Sequence, residues 1–335
     1  MGKLCIYFIK PKTPKRWFEG DQKIRMAVKW LIGKRERVGG VEKVYLNLCK
    51  GLDNIGIAYN TNLPFEELQE DDIPIVLGLG TQCLQGYNRP NPIIAGIALM
   101  TNPSEWPDLF EKYPVKVYLQ HSEWAANIYK KYFVNRCDVW PVGIDTRQWQ
   151  PASDRVKDID VLVYNKIRFD KEIYTKNLFE PISGFLQQKS LRIATLHYGN
   201  YEPEDFVDLL HRSKSMIFLC EHESQGIAYQ EALSMNVPIF AWDNGKCLDS
   251  NRFKWGYPEI DATSVPYFDE RCGRTFKDME AFYKGFENFW SKVVTDDFKP
   301  REYVLENLTL EISARRMLDI INKWIKKADE DITDG

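Results

Sequence analysis

Short runs rich in β-branched and aromatic residues alternate with helix-period segments over most of this 335-residue chain. That alternation is what a parallel sheet with crossover helices requires, and it predicts an α/β fold. In the first half, strands are predicted from Leu4 to Ile9, Ile73 to Gly80, Ile93 to Leu99, Val115 to Gln120 and Asp138 to Val142. In the second half they are predicted from Asp160 to Tyr164, Leu191 to Leu196, Met216 to Cys220 and Pro238 to Trp242. Between them lie amphipathic stretches such as Val41, Val44, Tyr45, Leu48 and Leu52, whose spacing puts them on one helical face. Ser122 is placed to cap another such helix.

The length suggests about two domains. The polar run from Asp145 to Lys157, broken by Pro151, Ala152 and Ser153, supplies the boundary. The division is residues 1–150, 151–307, and a final helix over 308–335 that crosses back to the first domain. That helix carries Ala314, Met317, Leu318, Ile321, Trp324 and Ile325 on one face and must pack on something apolar.

With 48 Asp+Glu against 45 Lys+Arg, the net charge is −3, which excludes a broadly basic nucleic-acid binder. The longest apolar stretch, Pro92 to Met100, falls far short of the roughly 18–20 residues of a membrane span. The apolar core near the first residue is too short for a secretory signal, so the expected location is the cytosol. Seven scattered cysteines without a C-x-x-C pair argue against a zinc ribbon or a disulfide framework.

The strongest local signal runs from Met216 to Ala241 and reads as strand, tight loop, helix and strand. A loop feeding a helix N-terminus presents free backbone N–H groups and the positive end of the helix dipole, which suits a diphosphate. Gly226 lets backbone approach closely. Glu231 lies in the helix, where a carboxylate can accept from both hydroxyls of a ribose, and Glu223 sits on the loop eight positions earlier.

Here the chain resembles the retaining glycosyltransferases of the GT-B fold marked by Glu, seven residues, Glu. Other segments agree in order. Gly39-Gly40-Val-Glu-Lys-Val resembles the family's glycine-rich turn, Pro141-Val-Gly-Ile-Asp145 its hinge entry, and Asp160 to Lys171 its first strand of the second lobe with the basic pair that follows. Lys171 matches one of that pair, and Lys166 stands where the family usually has Arg.

The resemblance implies two Rossmann-like domains facing a cleft, an acceptor domain first and a nucleotide-sugar domain second. It implies transfer of a sugar from a UDP- or GDP-linked donor to a glycan or lipid-linked acceptor, with retention, as in polysaccharide biosynthesis. Glu223 would hold hydroxyls of the donor sugar, and Lys166 and Lys171 would face the departing diphosphate, with Arg168 able to substitute for either. Gly39, Gly40, Gly226, Ile227, Ala228 and Glu231 would complete the donor site, and Tyr198 would touch the nucleobase. Because such a site relies on amides and cations, no metal and no resident cofactor are expected.

Some positions depart from the family. No His occurs in Leu77 to Gln82, where many relatives have one, and Trp242 to Cys247 replaces a glycine-rich run. His121 ends a strand within reach of the cleft, and Asp158-Ile-Asp160 reads as structural. Residues 10–37 carry ten basic residues against three acidic around an apolar face. Such a segment suits an anionic membrane surface or an anionic acceptor, and a basic helix with its charges in water fits it equally. Two alternatives share the scaffold: a sugar-nucleotide epimerase, and a catalytically silent nucleotide or carbohydrate binder.

Overall fold

The computed structural model describes residues 2–9, 38–152 and 155–326. The basic stretch at residues 10–37 and the last residues of the chain lie outside the described residues.

Two all-parallel sheets carry the fold. The first contains β1 (Leu4–Ile9), β2 (Tyr59–Thr61), β3 (Ile73–Gly78), β4 (Ile93–Gly96), β5 (Val115–Gln120) and β6 (Cys137–Val139), in the order β2-β1-β3-β4-β5-β6. The second contains β7 (Ile159–Asn165), β8 (Ile193–His197), β9 (Ser213–Leu219), β10 (Ile239–Trp242) and β11 (Gly273–Phe276), in the order β11-β10-β9-β7-β8. All residues of β3, β4, β7 and β10 are buried, as strands covered by helices on both faces require.

Among the described residues, the α-helices of eight residues or more are α1 (Gly40–Asn54), α2 (Glu123–Lys130), α3 (Glu180–Gln188), α4 (Pro203–Arg212), α5 (Ile227–Ser234), α6 (Met279–Val294), α7 (Pro300–Asn307) and α8 (Leu310–Ile321).

Strand ends and edges differ from the sequence reading. The predicted strand from Ile93 stops at Gly96, that from Asp138 is the shorter Cys137–Val139, and that from Met216 begins earlier, at Ser213. Tyr59–Thr61 and Gly273–Phe276 were not predicted. Both are edge strands, too short or too polar to show a period, and they exist because a neighbour offers them a ladder. A Cβ on Gly273 would stand 1.9 Å from Ile239 O, so backbone fills the space where a side chain would have signalled a strand. Ser122 does occupy the N-cap position of α2, yet its hydroxyl makes no capping hydrogen bond and is buried without a partner.

α8 returns to the first sheet. Ala314, Met317, Ile320 and Ile321 share a buried cluster with Leu4 and Ile6 of β1 and Val44, Leu48 and Leu52 of α1. Trp140 Nε1 donates to Ser313 O at 3.0 Å, and Ser313 Oγ donates to Pro141 O at 2.8 Å. The helix comes close enough that a Cβ on Gly51 would lie 2.5 Å from Leu310 O. In an exposed helix Gly→Ala gains up to about 1 kcal/mol. Here the added methyl meets backbone, so Gly51→Ala is expected to lower stability by about 1–3 kcal/mol, the usual range for overpacking. Denaturant unfolding checks the sign. Unchanged or higher stability would mean that α8 yields freely.

Candidate active site

β8 lies on one side of β7 and β9 on the other. Loops leaving the carboxyl ends of β7 and β9 therefore part, and open α/β sheets bind ligands in the crevice so formed. Lys166 opens the first of these loops. Its N–H donates to Leu219 O at 2.8 Å, which carries the ladder one residue past β7 and fixes where the side chain starts.

Across the crevice its ammonium pairs with the Glu223 carboxylate, and the two side chains are only 13% and 12% exposed. Burial pushes the Glu223 carboxyl upward. The charge and hydrogen bond of Lys166, the Arg168 charge and a hydrogen bond from the Cys220 thiol, 3.3 Å away, outweigh it and hold the carboxyl below its ordinary value. Burial likewise pushes the Lys166 ammonium downward, and Glu223 reverses this. The pair is charged at neutral pH. Lys166 Nζ also lies 4.6 Å from the centre of the ring of Tyr198, an exposed residue.

Glu231, one turn into α5, is 4% exposed and forms an ion pair with Lys43 of α1, from the first lobe. Lys43 in turn stands 5.0 Å from the centre of the Trp149 ring. Burial is the larger influence on Glu231 and raises its pKa to about 7 against the opposing pull of Lys43. The helix after the glycine turn thus reaches the second carboxylate of the pair, a contact the sequence spacing does not reveal. Gly39 and Gly40 sit exposed at the start of α1, with open space where a Cβ would project.

Gly226 caps the start of α5, and its φ of 78° is left-handed. Ile227 and Ala228 pack their side chains against the second-lobe core, which leaves their backbone N–H groups as their contribution to the helix entrance. Two buried glutamines missed by sequence reasoning tie this entrance to the first lobe. Gln225 Oε1 accepts from Val142 N at 2.9 Å, while its Nε2 donates to Gln230 Oε1 at 2.7 Å. Trp124 of α2 was missed as well, and its indole N–H donates to Glu223 O at 2.9 Å. Aromatic and amide side chains carry no sequence mark of a partner in another lobe.

The structure therefore brings together Lys166, Arg168, Tyr198 and Glu223, with Gly226 and Glu231 following in the same loop and helix. The Arg168 guanidinium turns into the wall, where Nη2 donates to His222 O at 3.0 Å. Lys171 is exposed on the opening turn of a short helix, where it lines a different hollow of about 410 Å³ with Glu172, Thr175, Lys176 and Glu180. Asp160 is tied to Arg192 and Lys214. His121 is buried with Nδ1 3.2 Å from Trp140 O, and burial pushes its pKa down to about 4, so its ring is neutral and packed.

No protein-family model matches the sequence, and no curated protein does. Solved structures do match. A mutant of S. aureus TarM in complex with Fondaparinux, alpha-GlcNAc-glycerol and UDP aligns at TM-score 0.50 and 13% identity, over 83% of this chain and 59% of that one. The sucrose-phosphate synthase of Thermosynechococcus elongatus aligns at TM-score 0.50 and 11% identity, over 96% and 98% of the two chains. The N-terminal domain of the Candida albicans trehalose-6-phosphate phosphatase aligns at TM-score 0.52 and 12% identity, over 92% and 84%. The chain spans less than two thirds of the length of TarM.

What these likenesses define is the fold. The chain has the GT-B architecture, two parallel-sheet lobes of six and five strands.

Proposed function

We propose that this protein is a retaining, metal-independent glycosyltransferase that moves a sugar from a UDP- or GDP-linked donor to a glycan or lipid-linked acceptor. The observation that carries the reading is the charged Lys166–Glu223 pair at the switch point of the second sheet, followed by Glu231 in the helix that the same loop enters. The TarM structure that shares the fold holds UDP, which supports a nucleotide ligand in this reading.

Transfer breaks the bond from the anomeric carbon to the diphosphate, and negative charge grows on the leaving phosphate. Lys166 and the free N–H groups at the start of α5 meet that charge, so the barrier falls without a bound cation. Glu223, held ionised, accepts from donor-sugar hydroxyls. Glu231 accepts from the ribose hydroxyls once Lys43 yields. Gly39 and Gly40, at the open start of α1, complete the phosphate side in this reading. Residues 10–37 carry the contact with an anionic acceptor or membrane surface in this reading.

Calorimetry with UDP, GDP, ADP, CMP and dTDP tests it. One nucleotide is expected to bind, and Glu231→Gln should weaken it by about tenfold, the worth of one lost charged hydrogen bond. The pH dependence adds a sign. Glu231 is ionised above about 7, so wild-type affinity should fall as pH drops through that value, whereas Glu231→Gln shows only the ligand's own titration. Equal affinity and equal pH profiles in the two proteins would make the helix carboxylate an ordinary buried residue.

A further inference from the structure

Glu221 stands two residues before Glu223, at the foot of the same crevice, and is fully buried. Its Oε1 accepts from two consecutive backbone N–H groups across the crevice, Arg168 N at 2.6 Å and Phe169 N at 2.8 Å. Its other oxygen makes no hydrogen bond and faces the Arg168 guanidinium, with Nε 3.7 Å away. Arg168 grips back through Nη2 to His222 O at 3.0 Å, and the Phe169 ring stacks on the His222 ring at 5.6 Å.

Consecutive amides aimed at one point form an anion-binding nest, and here the anion is a side chain of the opposite loop. The loop holding Lys166 and the loop holding Glu223 are thereby clamped to one another just beneath the ion pair. A neutral side chain could accept from the amides, but only a carboxylate also meets the Arg168 charge.

We propose that Glu221 is the positioning residue of this site: a buried anion that fixes the Lys166 loop against the Glu223 loop and so sets the spacing of the two charged groups. The clamp itself stands on geometry, and its consequence for nucleotide binding rests on the transferase reading above.

The experiment compares wild type, Glu221→Ala and Glu221→Gln in calorimetry with UDP and GDP, each in sodium formate and in sodium chloride at equal ionic strength. Glu221→Ala should lose about tenfold or more in affinity in chloride and regain a measurable part in formate, whose carboxylate fits the vacated nest. Glu221→Gln, which keeps an acceptor oxygen and the shape, should lose less. An alanine variant that binds as wild type does overturns the proposal. So does a folded alanine variant whose loss formate leaves untouched, since a merely structural residue would not respond to an added anion.

If alanine does not fold, glutamine is read alone, and wild-type affinity in that variant overturns the proposal. Should wild type bind neither nucleotide, the transferase reading is what fails. The clamp is then judged by hydrogen exchange at the Arg168 and Phe169 amides, protected in wild type and selectively released in Glu221→Ala.

Discussion

Lys166→Met is expected to lower the turnover of sugar transfer by about 10²–10³-fold, the usual effect of removing one donor from a developing oxyanion, with a smaller change in KM. Lys166 is the buried cation nearest the first carboxylate, and methionine keeps its length while deleting the charge. The substitution has a second consequence. Glu223 keeps its burial and loses the partner that holds its carboxyl down, so the carboxyl shifts upward and the fold loses stability. Breaking a buried pair by removing one partner costs about 3–5 kcal/mol.

Lys166→Met/Glu223→Gln separates the two effects. With both charges gone, much of the stability should return while activity stays low. Steady-state kinetics with the sugar nucleotide whose nucleotide binds, beside thermal unfolding, reads both. Near-wild-type turnover in a stable double variant would remove the ion pair from the chemistry.

Gly226→Ala should damage both the fold and the site. At φ 78° an L-residue is strained by about 1–2 kcal/mol. The new Cβ would also stand 2.0 Å from Cε1 of Tyr229, a fully buried ring whose hydroxyl accepts from Tyr267 N at 3.1 Å. The ring has no free space to enter, so either it or the entrance of α5 must move. Expected together are a fall in melting temperature of several degrees, as about 2–3 kcal/mol implies, and a loss of nucleotide affinity of about tenfold or more.

Gly40→Ala is the control for stability alone. Its Cβ meets nothing within 4 Å, and the change in stability should stay within about 0.5 kcal/mol. If the two variants lose stability alike, the helix entrance is not the rigid element described above.

Several parts of this molecule were readable from residues alone. The β-branched and aromatic runs that became β1, β5, β7 and β10 are rich in apolar residues, because a strand covered on both faces buries most of its positions. Glu223, Gly226 and Glu231 were legible for a related reason. Strand, loop and helix are local in the chain, so their spacing alone puts the residues at one helix entrance. Lys166 was named through the family resemblance, which places a basic residue after this strand.

Contacts between distant segments were not legible. Lys43 with Glu231, Trp124 with Glu223 and Gln225 with Val142 join residues separated by 188, 99 and 83 positions, and nothing in the local pattern of either partner announces the other. Nothing in the sequence around Glu221 sets it apart from other polar loop residues. Its burial follows from β9 lying beside β7, which the order of strands along the chain does not state. The edge strands β2 and β11 depend wholly on a neighbour's unpaired ladder.

The α/β alternation, the helix entrance at Gly226 and the two carboxylates around it are legible in the residues, because these rest on the pattern of side chains along a short segment. Which cations meet those carboxylates, which way Arg168 turns and where Lys171 lies are settled by the folded chain. Those outcomes depend on how two sheets and their loops pack in space, and a charge finds its partner by proximity, which chain order does not encode.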